Sequence, residues 1–384
     1  MSFLKKFKKA RSMAIVYQGL GMVSYVIGYK ERAEEWYRKG LEFDGDRIEL
    51  HTRLGQLLLE KGELEKSLQH FRLANARGDG CYNALYWLGQ AYQKMGAKEE
   101  SLSFFNQALV VNPNSFETYA AKGDYYYNEG QIKEALSNYQ QSLRFNPRNP
   151  AVLNNAGLCL YDLKSYEEAL DMFNKVIKLD LGDGVVYVNK ALCLTKLNRP
   201  EEAVRSYEEA QRFGHTSMEL FNNKGCCLVS LGLLKDAIIC YETALQHYPR
   251  EATLLSNKGI CLDKAGRYAE ALGCFEEALL WEPEDITLLN NKAMCLEKLN
   301  RYQEAINLYE TALNQDPNNV NLLVNKGSCL AKFGKHQEAL NCYEKVHLLE
   351  PDNRIIWNCK GLLYEDLKMI TEAVDCYNRA LGLE

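Results

Sequence analysis

Six asparagines recur at a fixed interval of 34 residues and carry the most evident chemistry in this sequence. They are Asn155, Asn189, Asn223, Asn257, Asn291 and Asn325. A carboxamide carries an acceptor and a two-hydrogen donor on one rigid plane, so it can pair with the C=O and N–H of a peptide unit whatever that unit's side chain. Asparagine costs up to about 0.7 kcal/mol relative to alanine inside a helix, so helix propensity does not explain the recurrence. The pattern indicates hydrogen bonding to another protein's main chain, or else repeat duplication in which each amide bonds a neighbouring helix or water.

Residues typical of catalysis do not form a pattern. The histidines show no HExxH spacing, and no Gly-rich loop that could cradle a phosphate occurs. The histidines are His51, His70, His215, His247, His336 and His347. We therefore expect a protein that is not an enzyme and that holds neither a cofactor nor a metal.

The thirteen cysteines follow the same interval rather than the spacing of a metal site. The longest series is Cys159, Cys193, Cys227, Cys261, Cys295 and Cys329. Neighbours in the series are 34 residues apart, and no CxxC pair occurs. Because a buried free cysteine behaves as a small hydrophobic residue, we interpret these as core residues, with metal or redox use as the alternative. Reduced thiols predict a cytoplasmic protein.

Three further series share the interval and identify the elements that must position these side chains. The first is small: Gly21, Gly55, Gly89, Gly123, Gly157, Ala191, Gly225, Gly259, Ala293, Gly327 and Gly361. The second, twelve residues later, is also small: Ala33, Ser67, Ser101, Ala135, Ala169, Ala203, Ala237, Ala271, Ala305, Ala339 and Ala373. The third is aromatic: Tyr37, Phe71, Phe105, Tyr139, Phe173, Tyr207, Tyr241, Phe275, Tyr309, Tyr343 and Tyr377. This period is typical of helix-turn-helix repeats that bury their apolar faces by stacking.

The pattern resembles the tetratricopeptide repeat family: small at positions 8 and 20 of each unit, aromatic at 24, mostly Ala at 27 and Pro at 32. The units begin at Ala14, Ile48, Tyr82, Phe116, Pro150, Gly184, Met218, Ala252, Ile286, Val320 and Arg354. The resemblance covers residues 14–384. It implies an all-α fold, an α-solenoid of eleven 34-residue repeats, the last incomplete, that form a right-handed superhelix.

Each unit is predicted to contain helix A over about its first fourteen positions and helix B from about position 16 to 31. Position 15 is mostly Gly, with Asn198 and Asn300 in two units, and these residues accept a left-handed helix end cheaply. Gly182 and Gly214 stand near two junctions that lack the usual Pro, and we expect softer joints there.

In this family, positions 2, 5, 6, 9, 12 and 13 of helix A line a concave groove, and the six asparagines occupy position 6. They resemble the asparagine ladders by which superhelical members, such as the O-GlcNAc transferase repeats and kinesin light chains, hold peptide backbones. Tyr86, Trp87 and Tyr127 also occupy groove positions, and we expect them to contact a ligand or to pack between repeats. A lysine column at position 7, from Lys190 to Lys360, provides either covered stems or an acid-preferring groove edge.

These observations predict a non-catalytic protein–protein interaction scaffold that binds an extended peptide segment of a partner in its concave groove. The net charge argues against nucleic acid as a partner. The sequence has 46 Lys and Arg against 51 Asp and Glu, which gives a net charge of −5.

The alternative is a self-assembling or membrane-peripheral structural protein. Residues 1–13 form a basic segment in which Phe3, Leu4 and Phe7 stand beside lysines, and such a segment can bind an anionic membrane surface weakly. The sequence ends within the last unit at Glu384 without a polar capping helix, so we expect truncation or end-to-end docking into a homo-oligomer.

Overall fold

The protein is all-α in the part of the chain that the structure describes. The structure, a computed structural model, describes residues 2–78, 81–351 and 353–383, with side chains from Lys8 onward. These residues contain 22 helices and no strand, and 80% of the chain is helical. The prediction of an all-α solenoid is confirmed, whereas the number of repeats and the handedness stay predictions.

The helices divide into two compact units, Met1–Cys193 and Leu194–Glu384. The first ten are α1 (Ser2–Val26), α2 (Lys30–Phe43), α3 (Ile48–Glu60), α4 (Leu64–Arg77), α5 (Tyr82–Lys94), α6 (Lys98–Val111), α7 (Phe116–Asn128), α8 (Ile132–Phe145), α9 (Pro150–Asp162) and α10 (Tyr166–Lys178). The remainder are α11 (Gly184–Lys196), α12 (Pro200–Arg212), α13 (Met218–Ser230), α14 (Leu234–His247), α15 (Ala252–Lys264), α16 (Tyr268–Trp281), α17 (Ile286–Lys298), α18 (Tyr302–Gln315), α19 (Val320–Lys332), α20 (His336–Leu349), α21 (Arg354–Asp366) and α22 (Ile370–Leu381). The predicted division into residues 1–13 and 14–384 stays a prediction, and α1 runs through residue 13 without a break.

Helix A and helix B alternate along the chain, and both are shorter than the sequence predicts. Helix A ends at position 13 and helix B begins at position 17, as in α3 and α4. The difference arises at position 15, where a left-handed residue ends helix A. Glycine fills that position in most repeats, and Lys164, Asn198, Asn300 and Lys368 adopt the same positive φ in the others. The left-handed conformation of the two asparagines was predicted from the sequence. The two lysines show that the turn imposes a positive φ even on a residue type that disfavours it.

The start of helix A is fixed by the residue before it, position 34 of the preceding repeat. Ser115, Asn149, Ser217 and Asp285 each accept a hydrogen bond from a backbone N–H in the first turn of the helix that follows. Such caps satisfy N–H groups that have no partner within the helix. The polar residue at position 34 therefore sets where these four helices begin.

Four junctions lack proline at position 32, and at two of them, those near Gly182 and Gly214, helix B ends at position 29 instead of 30. The α10 and α12 helices stop at Lys178 and Arg212, and the residue at position 31 is left-handed, Asp180 with φ 59° and Gly214 with φ 79°. Near the first junction the left-handed residue is thus Asp180 and not Gly182. Asp183 caps α11, because its Oδ1 accepts a hydrogen bond from the backbone N–H of Val186 at 3.0 Å. Whether these junctions are softer stays a prediction.

The core of each repeat is the contact between the small residue at position 8 and the ring at position 24. Tyr139, Phe173, Tyr241 and Phe275 are all at most 1% exposed. A Cβ at Gly225 would lie 2.3 Å from Cζ of Tyr241. Because real Cβ atoms do not approach that closely, glycine lets the ring of helix B lie against the backbone of helix A.

The cysteines of the 34-residue series are core residues, as predicted, whereas Cys226 is exposed. All six members of the long series are buried, and every cysteine is a free thiol. Burial raises the pKa of the Cys159 and Cys193 thiols to about 12, so they stay protonated and unreactive near neutral pH.

We expect Gly259→Val to destabilise the protein by about 1–3 kcal/mol, because a side chain there must displace the Phe275 ring from 2.8 Å. Gly259→Ala should destabilise the protein less, since its Cβ meets the same ring but Ala293 at this position of another repeat shows that one Cβ can be accommodated. Urea unfolding followed by circular dichroism measures the change. The control is Gly273→Val, on a helix where a Cβ has nothing within 4 Å. Equal stability of Gly259→Val and Gly273→Val would contradict the packing argument.

A histidine pair joins α3 and α4 in the first unit. Nδ1 of His51 lies 2.9 Å from Nδ1 of His70, and Nε2 of His51 lies 2.9 Å from the Gly45 carbonyl oxygen. Burial, followed by the charge of His51 and Arg38, lowers the pKa of His70 from 6.5 to about 4, although Glu34 opposes this. The neutral ring is therefore the form that the folded protein favours.

We expect the unfolding temperature to fall as pH decreases from about 6.5 towards about 4, because the unfolded chain binds a proton that folded His70 resists. Carboxyl groups also titrate in this range, so the measurement is the difference between the wild type and His70→Asn, which should lose less stability. A His215→Asn variant serves as the control. If all three proteins show the same pH dependence, the histidine pair is not the cause.

Candidate peptide-binding groove

Helices A of successive repeats contact one another directly and form one continuous face within each unit. In the Leu194–Glu384 unit these helices are α13, α15, α17 and α19, and in the other unit α3, α5 and α7 are arranged in the same way. Residues at positions 5, 6 and 9 of these helices lie along the contacts. The predicted asparagines at position 6 are all half-buried.

Three of the six asparagines donate a hydrogen bond to a second asparagine on the preceding helix A. Nδ2 of Asn257 lies 2.6 Å from Oδ1 of Asn222, and Nδ2 of Asn325 lies 2.9 Å from Oδ1 of Asn290. A third bridge, from Asn189 to Asn154 at 3.1 Å, lies in the Met1–Cys193 unit. The acceptors occupy position 5 of every second repeat. The sequence prediction missed them, although the dipeptide Asn-Asn at 154–155, 222–223 and 290–291 was a visible signal.

The other three asparagines have different surroundings. Asn223 and Asn291 make no side-chain hydrogen bond to any residue that the structure describes, and Asn155 donates to Oδ1 of Asp124 at 3.1 Å. A half-buried amide without a protein partner offers its donors and its acceptor to solvent or to a ligand. Contact of the six asparagines with a ligand stays a prediction. Among them, Asn223 and Asn291 keep both the amide donor and the carbonyl acceptor available.

The floor beside the amides is partly apolar. At position 9, Cys226 is exposed, Ile260 is half-buried and Met294 is 36% exposed. The Cys226 Sγ lies 3.7 Å from the Tyr241 hydroxyl oxygen. Unpartnered amides above a half-exposed apolar floor can hold a main chain and accept apolar side chains at once.

Tyr86 and Trp87 are half-buried in an aromatic cluster. The ring centroid of Trp87 lies 5.2 Å from that of Tyr86 and 6.2 Å from that of buried Phe71. Burial raises the pKa of Tyr86 to about 12, and its hydroxyl accepts a long hydrogen bond from Gln90 at 3.4 Å. The packing alternative therefore has direct geometric support, while contact with a ligand stays a prediction.

Tyr127 and Asn155, both predicted, lie on one cavity of about 420 Å³ in the Met1–Cys193 unit. Its lining is Asp124, Tyr127, Asn128, Tyr139, Asn155 and Leu158. The Tyr127 hydroxyl donates to Oδ2 of Asp162 at 3.1 Å, and burial together with this carboxylate raises the pKa of Tyr127 to about 12. The sequence prediction missed Asp124, whose signal was an acid at position 9, where most repeats have an apolar residue.

The lysine column at position 7 forms ion pairs within the protein. Nζ of Lys258 lies 3.0 Å from Oε1 of Glu242, and Nζ of Lys326 lies 2.9 Å from Oε1 of Glu310. Each glutamate belongs to helix B of the preceding repeat. Lys360 is only 8% exposed and lies over the ring of Trp357 at 5.1 Å. The structure thus favours covered stems over the alternative of a groove edge that attracts acids.

The described residues, 2–78, 81–351 and 353–383, lack two kinds of site. No group of three or more His, Cys, Asp or Glu there could hold a metal ion. None of the helices in these ranges combines the length and apolar character needed to cross a bilayer.

Paired helices of fixed length, stacked with helix A against helix A, define a helical repeat protein. Family models described as tetratricopeptide repeat match residues 82–115, 120–184, 185–213, 284–348 and 356–384. A model described as anaphase-promoting complex, cyclosome, subunit 3 matches residues 230–312. The chain belongs to the tetratricopeptide repeat family.

Solved structures share the fold at low sequence identity. The C-terminal part of a repeat-containing protein from Cytophaga hutchinsonii is 15% identical, with a TM-score of 0.55 over 61% of this chain and 96% of that one. YrrB, described as a TPR protein with an unusual peptide-binding site, is 22% identical over 49% of this chain and 97% of that one, with a TM-score of 0.46. MamA from Desulfovibrio magneticus RS-1 is 23% identical over 45% and 98%, with a TM-score of 0.43. No curated protein matches the sequence.

Proposed function

We propose that this protein is a non-catalytic scaffold that binds an extended segment of a partner protein on the helix A face of the Leu194–Glu384 unit. The tetratricopeptide fold is a protein–protein interaction fold, which supports the general role. The observation that carries the specific proposal is the state of the asparagines: Asn223 and Asn291 have no hydrogen-bond partner among the described residues, although both lie half-buried on this face.

The bridged asparagines have a supporting role in this proposal. Asn257 gives one amide hydrogen to Asn222, which fixes its plane and leaves its carbonyl oxygen and second hydrogen available. A side chain held in one orientation loses less conformational entropy when it binds a ligand. Bridged and unpartnered amides therefore alternate along the face, so that the fixed ones can define the path of the ligand.

The spacing fits an extended chain. Helices pack about 10 Å apart, so one repeat corresponds to about three residues of a strand that rises about 3.3 Å per residue. Asn223 and Asn291 are two repeats apart and would contact units about six residues apart. Because carboxamides bind main-chain groups, specificity has to come from elsewhere, and the apolar floor at Ile260 and Met294 favours a ligand with apolar side chains.

The compartment follows from the thiols. Every cysteine is free, and most of them are buried. Because such thiols persist in a reducing environment, we propose a cytoplasmic location.

We expect the triple variant Asn223→Ala, Asn257→Ala, Asn291→Ala to bind a peptide at least tenfold more weakly without loss of helical content. The probe is a synthetic 12-residue peptide selected from a random phage-displayed library against the full chain. Calorimetric titration gives the affinity, and circular dichroism gives the helical content. The double variant Asn223→Ala, Asn291→Ala should show most of the effect, because these two amides have no other partner.

The control is Asn307→Ala, Asn341→Ala, which removes two exposed asparagines from helix B. Cys226 supplies an independent readout, because a peptide on this face should slow its reaction with a thiol reagent, as located by mass spectrometry. Undiminished affinity of the triple variant would rule out the amide mechanism, and unchanged Cys226 labelling would place the peptide elsewhere.

A second function, binding to a membrane surface, is favoured by one observation on α1. This helix exposes Val16 at 52%, Val23 at 61% and Val26 at 81% on one face, followed by Ile27 at 61%. At 100° per residue, the exposed Lys8 lies on the same face as Val26. An apolar stripe next to lysine is typical of helices that lie on anionic bilayers. The side chains of Phe3, Leu4, Lys5, Lys6 and Phe7, on which the sequence prediction relied, lie outside the described residues.

If α1 binds membranes, Val23→Ser, Val26→Ser should lower co-sedimentation with phosphatidylcholine–phosphatidylserine vesicles at least fivefold, because the apolar contact is lost. Deletion of residues 1–13 should lower it further at low salt, since each lysine contributes about 1 kcal/mol near such a surface. The control, Val110→Ser, Leu348→Ser, removes two side chains that are each 82% exposed on other helices. Wild-type protein that stays in the supernatant would exclude this function.

A further inference from the structure

The cavity between α7, α8 and α9 presents a carboxylate that the protein holds in one orientation. The buried Tyr139 hydroxyl donates to Oδ1 of Asp124 at 2.6 Å, and Nδ2 of Asn155 donates to the same oxygen at 3.1 Å. Oδ2 of Asp124 accepts no hydrogen bond from any residue that the structure describes. Tyr139 is only 1% exposed, so its position is fixed by the core. One oxygen is thus held by two donors, while the other remains available at the cavity.

The charge of Asp124 has no counterion among the described residues. Acids on helices A of the other unit do have one: Oδ2 of Asp263 lies 2.6 Å from Nζ of Lys298, and Oε1 of Glu297 lies 2.6 Å from Nζ of Lys332. These two acids are therefore neutralised by lysine, whereas the cavity keeps a carboxylate that only neutral donors contact. A site of this kind attracts a cation.

The other walls favour a flat cation. Tyr127 and Leu158 line the cavity beside the Tyr139 ring, and a cation placed over an aromatic face is attracted by the negative charge of the ring face. The guanidinium group is planar, stacks on rings and is more weakly hydrated than an ammonium group, so it suits a site with one carboxylate oxygen and aromatic walls better than lysine does. Asp162, which accepts the Tyr127 hydrogen bond, adds negative potential without being neutralised by a described cation.

We propose that this cavity is a specificity site that binds the side chain of an arginine in an extended segment of a partner protein. The guanidinium group donates a hydrogen bond to Oδ2 of Asp124. Its plane stacks between the Tyr127 ring and Leu158. The proposal rests on the proposed function only in taking the arginine to belong to a protein partner. It concerns the Met1–Cys193 unit, whereas the asparagine side chains that carry the proposed function lie in the other unit.

The test uses the full chain and three probe peptides, acetyl-Ala-Ala-X-Ala-Ala-amide, in which X is arginine, lysine or citrulline. Citrulline keeps the shape of arginine without its charge. Nuclear magnetic resonance of the Asn155 side-chain amide follows binding at the cavity. We expect saturable shifts with the arginine peptide, binding at least threefold weaker with lysine, and at least tenfold weaker with citrulline.

Asp124→Asn should abolish the preference for arginine over citrulline, because the exposed carboxylate oxygen is replaced. Asp263→Asn is the matched control, since it removes one acid from helix A of the other unit and should leave the preference intact. Asn223→Ala, Asn291→Ala should also leave it intact, which separates this site from the amides. Equal binding of the three peptides, or an unchanged arginine preference in Asp124→Asn, would overturn the proposal.

Discussion

The close contact between the position 8 backbone and the position 24 ring is the constraint on which the rest of the structure depends. Gly225 and Gly259 lack a Cβ, and the rings of Tyr241 and Phe275 occupy the space that a Cβ would fill. This contact fixes the separation of helix A from helix B in each repeat. Because the separation is the same from repeat to repeat, every helix A presents the same positions to the same face.

Polar contacts between repeats follow from this regularity. The asparagine bridges, the Tyr127–Asp162 hydrogen bond and the Asp263–Lys298 ion pair all join residues 35 positions apart, one repeat plus one residue. A contact that recurs at one separation indicates that neighbouring helices A meet with a constant offset. Each bridged asparagine is thereby held in one orientation. Whether an asparagine at position 6 has such a bridge depends on the residue 35 positions earlier, and an asparagine without a side-chain partner keeps all its donors and its acceptor available.

The two units differ in what their helix A faces offer a ligand. The face that contains Asn223 and Asn291 carries neutral amides over an apolar floor, and Asp263 and Glu297 on the same helices are paired with lysines. The cavity at Asp124 carries an unneutralised carboxylate between aromatic walls. Neutral amides recognise any main chain, whereas a carboxylate selects for charge. We therefore propose that binding and selection belong to different residues of one repetitive fold.

The 34-residue period by itself determined the helical fold, the left-handed turn at position 15 and the burial of the cysteines, because each depends on residue types within one repeat. It also located the asparagine face. It did not distinguish Asn257, which is bridged, from Asn223, which is not, and it did not find Asp124. Those outcomes depend on distances between side chains of different helices, and a hydrogen bond changes from made to unmade over less than 1 Å. Only the packed structure decides such distances, since the same residue type at the same repeat position meets a different neighbour in each repeat.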